Sequence, residues 1–185
     1  MPLNIPNILT LLRILTLPLL LWLIYMNSAT AAPWAFALYV LSAITDFFDG
    51  YLARKLNQTS AFGTFIDPIA DKIFVLGVLL VLVDLSILDG LWLIAVLIII
   101  IRELLVSGLR EFLGPYNVKL PVTKLAKWKT TVQMVALATL ILTPLHALAY
   151  SVGLGFLGVA ALLTFSTGTQ YLASGIKAMG DIDAK

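Results

Sequence analysis

Six apolar runs, each about long enough to cross a bilayer, are the main constraint on how this chain can fold. They extend from about Asn7 to Tyr25, Pro33 to Ala53, Phe65 to Val83, Leu91 to Phe112, Thr123 to Leu142 and Leu148 to Lys177. A helix needs ~20 apolar residues to span the hydrocarbon core. The chain is 61% hydrophobic and 12% charged, with a mean hydropathy of +1.01. A soluble domain is closer to half apolar and a quarter charged. The predicted fold is therefore an all-α integral membrane protein of six transmembrane helices, one domain over residues 1–185. A short N-terminal interfacial segment, Met1 to Thr10, leads in, with Asn7 as a helix N-cap. The sixth run is long for one span and predicts a tilt or a continuation into the cytosol.

Lysine and arginine set the orientation. The connections Met26–Pro33, Asp84–Gly90 and Thr143–Ala147 contain none. The alternate side carries Arg54 and Lys55, then Arg110, Lys119, Lys124, Lys127 and Lys129, then Lys177 and Lys185. Positive residues stay inside, which predicts that both termini and the turn after the second span are cytoplasmic. Ala29-Thr30-Ala31 has the small-residue form of a signal-peptidase site, but no basic residue precedes Arg13, so an uncleaved first span is expected. The net charge of +2 and the lack of a basic tail give no reason to expect a nucleic-acid partner. Cysteine is absent, which excludes disulfides, thiolate metal sites and cysteine nucleophiles.

Carboxylates at membrane depth are costly and mark function. Four of the ten acidic residues fall in one stretch, D-F-F-D-G-Y-L-A-R-K-L-N-Q-T-S-A-F-G-T-F-I-D-P-I-A-D, from Asp46 to Asp71. On a helix, Asp46, Asp49, Gly50 and Ala53 share one face, and Gly63, Asp67 and Asp71 form a second stripe. If the two stripes faced each other, four carboxylates would meet. Oxygen donors of this kind suit a hard divalent cation together with substrate phosphates. Gly50, Ala53 and Gly63 would let a bulky ligand approach the backbone, and Arg54 could take a phosphate in bidentate fashion. A solvated loop would not require acids and small residues to share helical faces. Asp67-Pro68 leaves two readings open, since Asp67 could cap a helix beginning at Pro68 or serve as a ligand beside a kink. Lys72 is expected to pair with an acid.

This stretch resembles the signature of the CDP-alcohol phosphotransferase family, D-x2-D-G-x2-A-R-x8-G-x3-D-x3-D. All eight specified positions match: Asp46, Asp49, Gly50, Ala53, Arg54, Gly63, Asp67 and Asp71. The resemblance implies that the four aspartates hold Mg2+ or Mn2+, with two ions expected. It implies that Asp71 also acts as general base, and that Asp49, Gly50, Ala53, Arg54 and Gly63 contact the CDP moiety. Three further segments resemble the branch of the family whose acceptor is sn-glycerol 3-phosphate and whose donor is CDP-diacylglycerol. These are N-I-P-N-I-L-T-L-L-R, R-E-L-L-V-S-G-L-R-E and A-K-W-K-T-T-V-Q-M-V-A-L-A. Phospholipid synthesis at the bacterial inner (cytoplasmic) membrane, with the active site cytoplasmic, is the implied role. Related enzymes with serine, inositol phosphate or phosphatidylglycerol acceptors share the signature.

Arg102 and Glu103 interrupt the fourth run and should face inward. Arg102 either neutralises a carboxylate or binds an anion. With Arg110 and Lys127 it makes up the expected acceptor-phosphate site. Lys124, Lys127 and Thr131 share a helical face, whereas Lys129 is read as a headgroup contact. Arg13 either snorkels or approaches a phosphate. Ser151, Gly155 and Val159 permit close packing, within the chain or across a homodimer. A divalent-cation transporter is the rival from another class, but the outer halves of the spans offer no acidic path.

Overall fold

The structure, a computed structural model, describes residues 4–55, 60–116, 118 and 123–183, with the backbone alone at 5, 6, 47–55 and 183. Among these residues there are six α-helices and no strand: α1 Ile5–Tyr25, α2 Ala32–Lys55, α3 Ala61–Asp84, α4 Trp92–Leu113, α5 Lys124–Ile141 and α6 Ala147–Asp183. Three of them are long and apolar enough to cross a membrane: Asn7–Tyr25, Trp92–Leu113 and Ala147–Ile182. Charges dilute the others: α3 carries Asp67, Asp71, Lys72 and Asp84, and α5 opens with three lysines in six residues. The helices turn leucine and tryptophan outward, as at Leu15, Trp34, Leu104, Leu148 and Leu162. Water would penalise such a surface and lipid would not, as expected of a membrane protein.

The chain divides into two compact units, Met1–Leu88 with Leu137–Gly153, and Asp89–Ala136 with Leu154–Lys185. In the first, α1 packs on both α2 and α3. Leu17, Leu20 and Ile24 meet a core that includes Tyr39, Phe74, Val78 and Leu82. The Tyr39 and Phe74 rings stack at 5.3 Å. Gly153 lets α6 start against Leu140, because a Cβ there would lie 2.7 Å from the leucine Cγ.

In the second unit, buried residues recur at helical steps of three, four or seven residues. They are Val96, Ile99, Val106, Leu109 and Leu113 on α4, and Leu157, Ala160, Thr164, Thr167 and Tyr171 on α6. On α5 the series runs Ala126, Lys129, Gln133 and Ala136. At 37 residues, α6 is about 55 Å long, well beyond a ~30 Å hydrocarbon core.

Four expectations change. The first helix begins at Ile5 with Asn4 as its N-cap, so the helix takes in residues 5–10 and leaves no separate interfacial segment among them. Proline in the first turn suits that start, since its missing N–H would be unbonded anyway. Asn7 is therefore not a cap. The third helix starts at Ala61 and is capped by Ser60, whose hydroxyl accepts from the Gly63 N–H at 2.9 Å. Asp67 thus lies within the helix, with Pro68 internal, and is not a cap either. Lys72 pairs with no acid among the described residues; its ammonium donates to the Pro68 carbonyl at 2.8 Å. Finally, Gly155 has open space where a Cβ would sit, and Ser151 and Val159 are exposed, so the close packing expected of this stripe is not seen among the described residues.

Candidate active site

The first unit builds its polar centre from two facing stripes. On α3, Gly63, Asp67 and Asp71 recur every four residues, as the sequence predicts. On α1, Asn7, Thr10 and Arg13 recur every three, and all three are buried. The stripes meet in order. A Cβ on Gly63 would lie 2.6 Å from Asn7 Oδ1, so glycine leaves room for the Asn7 side chain in this position. Asn7 Nδ2 donates to the Ser60 hydroxyl at 2.9 Å, which ties α1 to the α3 cap. Thr10 Oγ1 donates to Asp67 Oδ1 at 2.7 Å. Arg13 Nη1 donates to Asp71 Oδ1 at 2.7 Å and also pairs with Asp46 Oδ1 from α2.

Arg13 is 4% exposed, so it neither snorkels nor faces water. Its side chain ends between two carboxylates from different helices. The Asp46 and Asp71 side chains are 39% and 53% exposed, so a ligand can reach them. Among the described residues no three acids are grouped closely enough to hold an ion. The side chains of Asp49, Gly50, Ala53 and Arg54 lie outside the described residues, although their backbone is helical within α2. Asp46 and Asp71 still direct oxygen atoms at one cationic nitrogen. That donor set fits a hard divalent cation.

The second unit gathers positive charge. Glu103 pairs with both Lys129 and Arg102, the latter at 3.3 Å. Lys129 is 2% exposed, which overturns its reading as a headgroup contact. The exposed face of α5 holds Lys124, Lys127 and Thr131 instead. Lys127 has no described contact with Arg102 or Arg110. Those two arginines do converge, each 5.5 Å from the centre of the Tyr171 ring. Arg102 also lines a groove of about 250 Å3 between α4 and α6, with Leu105, Thr164, Phe165 and Gly168.

Asn7, Thr10, Lys129 and Tyr171 were not singled out as site residues from the sequence. Their signals were present: a polar stripe on an otherwise apolar first helix, and polar residues on the buried stripes of α5 and α6.

The CDP-alcohol phosphatidyltransferase family pattern matches residues 3–166. A protein of Rickettsia typhi is 46% identical over 171 residues, covering 91% of this chain and 94% of the relative. One of Cereibacter sphaeroides is 50% identical over 140 residues, 75% of this chain and 63% of the relative. One of Salmonella choleraesuis is 38% identical over 184 residues, 98% of both. Each of these relatives is named CDP-diacylglycerol–glycerol-3-phosphate 3-phosphatidyltransferase. With the match covering most of the chain and the signature carboxylates Asp46 and Asp71 drawn to one point, this chain belongs to the CDP-alcohol phosphatidyltransferase family.

Proposed function

We propose that the chain transfers a phosphatidyl group from CDP-diacylglycerol to sn-glycerol 3-phosphate, releasing CMP and phosphatidylglycerophosphate. The observation that carries this reading is the meeting of Asp46 and Asp71 at Arg13, with Asp67 held beside them by Thr10. Asp46, Asp49, Asp67 and Asp71 would hold Mg2+ or Mn2+. When bound, the cation would neutralise the pyrophosphate and stabilise the charge on departing CMP. Asp71 takes the proton of the acceptor hydroxyl as its oxygen attacks the phosphorus that bears the diacylglycerol, and the bond from that phosphorus to CMP breaks. Proton transfer of this kind is worth about 10²–10⁴-fold. Gly50, Ala53 and Arg54 would seat the nucleotide. Arg102 and Arg110 would bind the acceptor phosphate, supported by their convergence on Tyr171.

All six helices would cross the bacterial inner membrane, with both termini and the carboxylates on the cytoplasmic side. The test is CMP release from CDP-diacylglycerol by the purified protein with glycerol 3-phosphate, serine, inositol phosphate or phosphatidylglycerol. Glycerol 3-phosphate should be preferred. Equal or greater turnover with another acceptor would replace the assignment.

A further inference from the structure

We infer that Tyr171 is a positioning residue that seats Arg102 and Arg110 together as a paired clamp for the acceptor phosphate. The inference rests on the acceptor reading above and deepens it. On α4, Arg102, Val106 and Arg110 follow one another at four-residue steps, a stripe that turns by only about 40° per step. Tyr171 packs against the middle of this stripe, in a buried cluster with Val106 and with Ala126 of α5. From there its ring reaches both guanidinium groups at 5.5 Å. Two like charges repel, so their sharing a neighbourhood needs a cause. The π face of one tyrosine supplies it, because a ring quadrupole attracts a cation and guanidinium groups stack well on aromatic faces.

The neighbouring turn of α6 is shaped for the same purpose. A Cβ on Gly168 would lie 3.0 Å from Arg102 Cγ. Gly168 therefore leaves a slot for the arginine stem, three residues before the ring that receives its head. Charge accounting points to an anion. Arg102 and Lys129 share the single carboxylate of Glu103, and Arg110 makes no ion pair among the described residues. Among the described residues, Arg110 thus joins a neighbourhood whose ion-paired carboxylate, Glu103, already serves two cations, and a phosphate would offset that excess of positive charge. One donor in the cluster supports this. Arg102 Nε is buried without a hydrogen-bond partner among the described residues. The clamp is aimed by the ring, while the arginines make the contact.

The test compares steady-state kinetics of Tyr171→Leu, Tyr171→Phe, Arg110→Ala and the Arg110→Ala/Tyr171→Leu double variant. Arg110→Ala should raise the KM for glycerol 3-phosphate about tenfold or more while leaving the KM for CDP-diacylglycerol within about twofold. Tyr171→Leu should raise the same KM by about tenfold. Tyr171→Phe keeps the ring and should stay within about twofold of the original protein. Because Tyr171 acts partly through Arg110, the double variant should fall short of the product of the two single effects. If Arg110→Ala has no effect on the acceptor KM, the acceptor reading fails. If Arg110→Ala acts but Tyr171→Leu does not, or if Tyr171→Leu changes both KM values alike, the seating role is overturned. An equal loss in Tyr171→Phe would assign the contact to the hydroxyl and likewise overturn it. Should Tyr171→Leu not fold, Gly168→Ala decides: it should raise the acceptor KM several-fold by displacing Arg102, and an unchanged acceptor KM would refute the seat.

Discussion

Glu103→Gln should destabilise the protein more than any other neutral replacement in the second unit. The change keeps the side chain's size and removes its charge. Glu103 is the shared partner of Lys129, 2% exposed, and Arg102, 11% exposed. Removing one member of a buried pair leaves the other uncompensated, at a cost of about 3–5 kcal/mol. Arg102 keeps the Tyr171 ring, which offsets part of this, since a cation–π contact is worth roughly 0.5–2 kcal/mol. Lys129 has no such substitute among the described residues, so the lower part of that range, near 3 kcal/mol, is expected. For a chain of this size each kcal/mol shifts Tm by about 2–4 °C, giving a fall of about 6–12 °C. The assay is thermal unfolding in detergent at a fixed scan rate. Adding Lys129→Met removes the stranded ammonium and should recover much of the loss. A Tm for Glu103→Gln within about 2 °C of the parent, or a double variant no more stable than the single, would refute the buried ion-pair account.

Gly63→Ala should cost about 1–3 kcal/mol, because its new methyl would overlap Asn7; Asn7→Ala in the same chain should relieve the overlap, which unfolding measurements will show. Asp71→Asn should lower CMP release by at least about a hundredfold without loss of folded protein, and near-parental turnover would remove Asp71 from the chemistry. Chelation of divalent cations should stop CMP release in the parent, with recovery on adding Mg2+ or Mn2+. Gln58→Cys should react with an impermeant thiol reagent only from the cytosolic side and Ser86→Cys only from the other, and the reverse pattern would invert the orientation.

Local chemistry determined a great deal here. Several helix ends fell close to the ends of the apolar runs, because a helix and an apolar run are both broken by the same polar turn residues. The first helix ends at Tyr25, and α4 and α5 differ from their apolar runs by one residue at each end. The stripe of Gly63, Asp67 and Asp71 was legible too, since a four-residue step places residues on one face of any helix. Which partner meets such a stripe depends on how two helices cross and in what register, and no local pattern encodes that. The Asp67 and Asp71 stripe meets Thr10 and Arg13 of α1 along its length, and among the described side chains Asp46 of α2 joins it through Arg13. Lys127 and Lys129 look alike along the chain, yet two residues on a helix differ by about 200°. That rotation leaves Lys127 exposed and buries Lys129 against Glu103. Tyr171 lies 69 positions after Arg102 in sequence, and the packing of α6 on α4 alone makes them neighbours.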